Sequence, residues 1–380
     1  MPPKTWGLPK GIERRDPRAE NFAMRIHRPL VPALALALAL VAGCSSSSGT
    51  LTPAAAPRTY SMGFTGFPPG PSLALIIQTI DMWSHRADAA LILSEPPWDS
   101  LLAGRPAKAL IENNQLGLAQ YYRAKGLRVI VSVDPTNGLD RASDSALLQA
   151  AGRSLTEPAI QALYRDYVAA MDTLIDPDYI GIASETNLIR ASAPPALYAA
   201  VVQAANGAAG DIRAHDAAVK IFTTVQVEVA WGALPPGGGF VGVAQDRADF
   251  AFDQALGLSS YPYLGGFTEP DSIPLDYYSR LTASDPIPVM VIEGGWSSDS
   301  TYTPKWNVES QRKYIVRHTA LLDAARAVGW FQITFTDFDL AAIGLPPSAG
   351  IFASLGLVDT QLRPKPALAP WDATFARPRR

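Results

Sequence analysis

A single cysteine, Cys44, occurs in the 380 residues, so no disulfide can form within the chain. Histidine is almost as scarce, with four residues, and none falls where a β-rich run ends. That scarcity argues against a histidine-held metal and against a Ser–His–Asp hydrolase. A net charge of −3, with no basic run beyond the N-terminal segment, gives no reason to expect a nucleic-acid partner. No GxGxxG follows the first β-rich run, which weakens a nucleotide-binding sheet, and no motif calls for a cofactor. The apolar run from Leu30 to Ala42 is too short for a comfortable transmembrane helix. What the chain has in quantity is apolar surface: 48% hydrophobic residues can fill one large core or two modest ones. Its 33 prolines and 29 glycines are spread along the sequence rather than clustered as in a disordered protein.

The N-terminal segment "MRIHRPLVPALALALALVAGC" has Arg25 and Arg28, a short apolar stretch, then Val41-Ala42-Gly43-Cys44. A basic flank, a hydrophobic run and small residues at a cleavage point are the layout of a secretory signal. The segment resembles a bacterial lipoprotein signal, which implies that Cys44 is acylated and becomes the mature N-terminus. An ordinary signal peptide with a chance cysteine is the alternative. Residues 1–23 read as an upstream extension ahead of Met24, and "SSSSGTLTPAAAP" as a flexible tether. The expected organisation is extension and signal over 1–44, tether over 45–58 and one domain over 59–376. The expected location is the cell envelope, periplasmic or outer surface, with the membrane as a partner through the lipid on Cys44.

From Tyr60 onward, β-rich runs alternate with longer amphipathic stretches. The runs are 60–67, 87–95, 127–134, 178–185, 220–228, 255–263, 287–295 and 329–337. Several are apolar on both faces, as parallel strands covered by helices must be. The stretches 157–176 and 307–329 carry apolar residues at helical spacing; the second opens at Asn307 as a cap and is expected to close at Gly329. Eight such units predict an α/β fold, a single-domain (β/α)8 barrel, with a doubly wound open sheet as the runner-up.

A barrel gathers its functional groups at the C-terminal ends of its strands. Those ends hold Phe64 to Phe67, Glu95 with Trp98, Asp134 with Asn137, Ser184-Glu185-Thr186-Asn187, Gln226 and Glu228, Ser259 to Tyr263, Glu293 to Trp296, and Asp337 to Asp339. A mouth rich in acids and aromatics suits carbohydrate. Glycoside cleavage needs two carboxyl groups, one protonated near neutrality and one ionised. Glu185 ends the fourth run and Glu293 lies at the end of the seventh.

On these residues the chain resembles the retaining (β/α)8-barrel glycoside hydrolases whose acid/base glutamate ends strand four and whose nucleophile ends strand seven. "VIEGGWSS" is similar to the nucleophile strand of the endo-β-1,3-glucanase-like and endo-β-1,4-galactanase-like branches. "SSYPY" resembles their sixth strand, and "FASLGLVDTQLRPKPAL" their final segment. The resemblance implies Glu185 as acid/base, Glu293 as nucleophile and Tyr261 as hydrogen-bond donor to Glu293, with a β-linked oligo- or polysaccharide as substrate. Trp296 and Trp98 would offer flat faces to sugar rings. The pattern departs at strand four, where Ser184 stands in place of the usual asparagine, leaving Ser184 or Asn187 to meet the sugar 2-hydroxyl. No arginine ends the second run. Glu95, Asp134 and Asp337 are further strand-end carboxylates, with Asp337 also a candidate for substrate binding. The loop 231–242 is expected to be a long flexible rim, and His85, His215 and His318 to lie at the surface of helices. The alternative to an enzyme is a surface lipoprotein that binds a glycan on a degenerate barrel.

Overall fold

The computed structural model describes residues 56–67, 69–235, 237–301 and 306–380. The signal, Cys44 and most of the tether lie outside the described residues. Eight strands, β1 (Ser61–Thr65), β2 (Ala89–Ser94), β3 (Arg128–Val133), β4 (Tyr179–Gly181), β5 (Lys220–Gln226), β6 (Ala255–Ser260), β7 (Val289–Gly294) and β8 (Gly329–Gln332), close into one barrel in sequence order. Every neighbouring pair is parallel, and β8 pairs with β1 through Met62 opposite Trp330. This is the expected (β/α)8 barrel. The open-sheet alternative fails because both would-be edges are paired.

Two apolar clusters follow from the period-2 alternation of the strands. Met62 and Phe64 of β1, Val129 and Val131 of β3, and Val289 and Val291 of β7 face the helices and belong to the large outer core. Leu91, Ile130, Phe222, Met290, Ile292 and Phe331 form a second, inner cluster that fills the barrel itself. Large inward side chains on some strands require small ones on their neighbours. Phe222 of β5 occupies the space in which a Cβ on Gly181 of β4 would stand, 2.6 Å from its ring.

The helices form where their apolar spacing predicts. The helix Pro158–Ile175 buries Ile160, Tyr164, Tyr167, Val168, Met171 and Ile175. The helix Val308–Ala325 begins at Asn307, whose side chain accepts from the backbone of Glu309 and Ser310 in a reciprocal capping box. It ends at Ala325 rather than at Gly329, because Arg326 turns left-handed (φ 50°) and Gly329 already belongs to β8. His318 of this helix is fully buried, against the expectation of a surface position. It packs on Tyr314, Tyr278 and Trp330, with ring centroids 5.0, 5.6 and 4.8 Å away. His85 and His215 are exposed as expected, His215 while paired with Asp172.

The tightness of the barrel wall gives a stability test. A Cβ on Gly63 of β1 would lie 2.2 Å from the Ala89 carbonyl oxygen and 2.8 Å from the Phe331 ring. Gly63→Ala must therefore spread β1 from β2, and is expected to lower stability by about 1–3 kcal/mol, read as a reduced thermal or urea midpoint.

Candidate active site

Glu185 and Glu293 reach the same mouth by different local devices. β4 is short, ending at Gly181, and Glu185 sits four residues beyond it at the cap of the helix Thr186–Ser192. Its backbone is left-handed (φ 48°), a conformation that costs a non-glycine residue about 1–2 kcal/mol. The Thr224 hydroxyl of β5 receives the Glu185 N–H at 2.7 Å, and the Glu185 carbonyl accepts from Leu188 and Ile189. A strained residue fixed from both sides is the kind found where position matters more than comfort.

Glu293 owes its direction to an irregularity. Along β7, Met290 and Ile292 face the barrel interior while Val289 and Val291 face the helices, so plain alternation would send Glu293 outward. The pairing with β6 slips instead: Leu258 is opposite Val291, and Ser259 is opposite Glu293. The extra residue is a β-bulge, and it re-aims the carboxylate toward the mouth. There the Tyr261 hydroxyl donates to Glu293 Oε1 at 2.6 Å. Burial, and next the negative charge of Glu185, push the Glu293 carboxyl well above its ordinary range; the Tyr261 hydrogen bond and the charge of Arg141 pull the other way. The two glutamates are thus electrostatic neighbours. Burial and the charge of Glu293 hold the Tyr261 phenol far above its usual titration, so it stays a donor.

The third member of the site, Arg141, is one that sequence reasoning missed. It comes from the loop after β3, and its Nε donates to Glu185 Oε2 at 2.8 Å. Its Nη1 donates to Asp134 Oδ2 and, at 3.1 Å, to the Thr136 hydroxyl. The Arg141 side chain is 7% exposed and that of Glu185 10%. Asp134 is held in turn by the backbone N–H and hydroxyl of Thr136, at 3.0 and 2.9 Å. The positive charge that no residue at the end of β2 provides therefore enters from the next loop. No local motif marks an arginine eight residues past the end of β3 as a site residue.

Several other expected site residues have structural employment. Trp98 and Trp296 are both fully buried, so neither offers a face to a sugar ring. Trp296 instead ties the end of β7 to the helix Val308–Ala325: its Nε1 donates to Ser310 Oγ at 3.2 Å, and its carbonyl accepts from Gln311 at 3.0 Å. Asn187 is 2% exposed and is clasped to Gln226 of β5 by two 2.8 Å hydrogen bonds, which removes its amide from the mouth. Asp337 is ion-paired with Lys365 at 2.7 Å and accepts from the Gly356 N–H at 2.9 Å, pinning the final segment rather than facing solvent freely. Ser184 is 9% exposed beside Glu185. The Glu95 carboxylate accepts from Ser145. Half-buried rings at the mouth are phenylalanines: Phe352 against Tyr261 (centroids 5.1 Å apart), and Phe67 paired with the more buried Phe338 at 6.3 Å.

Neither a protein-family model nor a curated sequence matches the chain. Solved structures do match its fold. An exo-β-1,4-mannosidase from Opitutaceae bacterium strain TAV5 superposes with a TM-score of 0.60 at 17% identity, over 85% of this chain and 60% of its own. The GH5_18 protein of Streptomyces cattleya, solved with GlcNAc, gives a TM-score of 0.62 at 15% identity over 85% and 81% of the two chains. Fungal β-1,4-galactanases give 0.53 at 15% identity, over 78% and 90%. The chain thus spans about three fifths of the mannosidase's length, and what it shares with these proteins is the (β/α)8 barrel fold.

Behind the mouth lies a buried polar network that includes Glu228, just past β5. Glu228 is wholly buried, and its Oε1 accepts from the Tyr277 hydroxyl at 2.9 Å and from Ser260 at 3.3 Å. The Tyr278 hydroxyl lies 3.1 Å from both Ser260 Oγ and His318 Nε2. Burial raises the Glu228 carboxyl to about 7 and pushes His318 down to about 3. For Glu228 the fold favours the proton, so its contribution is full below the ordinary glutamate range and is lost as pH rises through about 7. Glu228→Gln is accordingly expected to flatten the fall in unfolding midpoint between about pH 5 and about pH 8, by up to roughly 3 kcal/mol. The His318 contribution has the opposite sign, being lost as pH falls from 6.5 toward 3, and it is common to both proteins.

Proposed function

We propose that this chain is a glycoside hydrolase that cleaves a β-linked glycan by retaining double displacement, with Glu293 as nucleophile and Glu185 as acid/base. The observation that carries this reading is the Tyr261 hydroxyl bonded at 2.6 Å to Glu293, near the end of β7, in a mouth that also receives Glu185 from beyond β4. The kinship of the barrel with a mannosidase and galactanases supports it. Retention requires carboxyl groups about 5–5.5 Å apart.

In the first step a Glu293 oxygen forms a bond to the anomeric carbon as the glycosidic C–O bond breaks. The proton of Glu185 passes to the departing oxygen. In the second step Glu185 takes a proton from water, whose oxygen bonds to the anomeric carbon while the ester to Glu293 breaks. Tyr261 fixes the nucleophile's rotation. Its bond to Oε1 leaves the other oxygen for attack. The coupled pair needs one proton in total, so activity is bell-shaped in pH and falls on the alkaline side as that last proton is lost.

A non-catalytic glycan-binding barrel is the second reading, favoured by the ion pair that occupies Glu185. Hydrolysis of laminarin, β-1,4-galactan and β-1,4-mannan separates the two. Glu293→Gln is expected to lower kcat by several orders of magnitude. Glu185→Gln should lower it about 10²–10⁴-fold, with recovery on a dinitrophenyl glycoside whose leaving group needs no proton. Binding to these glycans with no turnover by the wild type would favour the second reading.

Export and lipid anchoring remain part of the proposal, on the strength of the segment ending at Cys44. In a bacterial host, metabolic palmitate labelling is expected to mark the wild type and to be lost in Cys44→Ala. Label persisting in the variant would remove Cys44 as the acceptor.

A further inference from the structure

We propose that Arg141 is the positioning residue of the carboxylate pair: it clamps Glu185 and gives it up to an entering glycan, withdrawing onto Asp134 and Thr136. This inference rests on the glycosidase reading and adds to it a residue that the resemblance does not supply.

The geometry has two independent halves. One edge of the guanidinium holds Glu185 through Nε, and Nη1 holds Asp134 and Thr136. Releasing Glu185 therefore does not strand a buried cation. Breaking a buried ion pair outright leaves an uncompensated charge, whereas here Asp134 remains as counter-ion, fixed by its own two bonds to Thr136. Asp134 is also the more exposed partner, at 20% against 10% for Glu185, so the guanidinium would move toward solvent rather than away from it.

The chemistry requires such a release. A guanidinium only donates, and its contact stabilises the carboxylate form. The acid/base residue must present a proton to the leaving oxygen, so the contact and the catalytic step oppose each other. Glu293 is faced by Glu185, Asp134 and Arg141 and bonded by Tyr261, with Tyr263 behind it. Arg141 is faced by Asp134, Glu185 and Glu95. Within this set of carboxyls and phenols Arg141 is the single cation, so its position decides which carboxyl the shared proton prefers.

The test compares wild type, Arg141→Gln and Arg141→Lys, each checked for an unchanged far-UV spectrum. On whichever glycan of the panel is cleaved, Arg141→Gln is expected to move the alkaline limb of kcat/KM upward by about one pH unit or more, because the doubly charged pair loses its counter-ion. Arg141→Lys should return the limb toward its wild-type position. A loss of activity with unmoved limbs would make Arg141 a scaffold residue and overturn the inference. Carboxyl ¹³C NMR of glutamate-labelled protein, with Glu185 assigned through Glu185→Gln, gives a readout that needs no turnover. Glu185 is expected to titrate at higher pH in Arg141→Gln than in wild type, and identical titrations would overturn the clamp. If nothing is hydrolysed but the titration moves, the glycosidase reading fails while the hold of Arg141 on Glu185 stands.

Discussion

Everything at the mouth depends on keeping two carboxylates together where water is scarce. Like charges at close range in a poorly solvated cleft repel strongly, and burial penalises each of them separately. The structure manages this with one cation and one phenol. Arg141 balances Glu185 from the loop after β3, and Tyr261 donates to Glu293 from the end of β6. Removing either would leave a carboxylate in the cleft without its partner. The strain at Glu185 and the bulge before Glu293 serve the same constraint, since both bend ordinary backbone rules to bring the side chains to one place.

Rigidity around that pair comes from polar groups as much as from apolar packing. Glu228, Tyr277, Ser260, Tyr278 and His318 form a chain of buried contacts that passes through Ser260, the last residue of β6 and the one before Tyr261. A buried network earns its desolvation cost only where its members are satisfied. Here each link is made, but Glu228 Oε2 and His318 Nδ1 have no hydrogen-bond partner among the described residues. A neutral Glu228 and a neutral His318 are the forms such an environment favours, as burial alone dictates.

The barrel was legible because period-2 runs bounded by helical stretches admit few other folds, and inward and outward residues alternate along the strands up to the bulge in β7. The strand ends were less so. The run 178–185 reads as a strand throughout, yet β4 itself ends at Gly181; backbone bonds from Ile182 to Phe222 and from Thr224 to Ala183 carry the chain on along β5 until Glu185 turns left-handed into a helix cap. The bulge in β7 leaves no mark in "VMVIEG", since it is a property of pairing with β6 rather than of β7 itself. Tryptophan was misjudged for a general reason: the same ring makes a sugar platform or an anchor in the core, and only its neighbours decide. For Trp296 they are Tyr314, Tyr263 and Ser310. Arg141 was out of reach because long-range ion pairing from a loop has no local signature.

Ser184, standing where the glycosidases that the sequence resembles carry asparagine, has a structural complement. The nearest amide in sequence, Asn187, is locked into the wall by Gln226, so the polar group that could have replaced the missing one is used to join β5 to the helix after β4. Asp337 is committed to Lys365 in the same way. On the proposed glycosidase reading, the side chains left to read a sugar's hydroxyls are then Ser184 and the groups of the carboxylate cluster itself, Asp134, Glu185 and Glu293. Recognition and chemistry then draw on the same few atoms. A change that alters which hydroxyls are bound must also alter the charge balance that Arg141 and Tyr261 maintain, so substrate preference and proton placement in this mouth are coupled by construction.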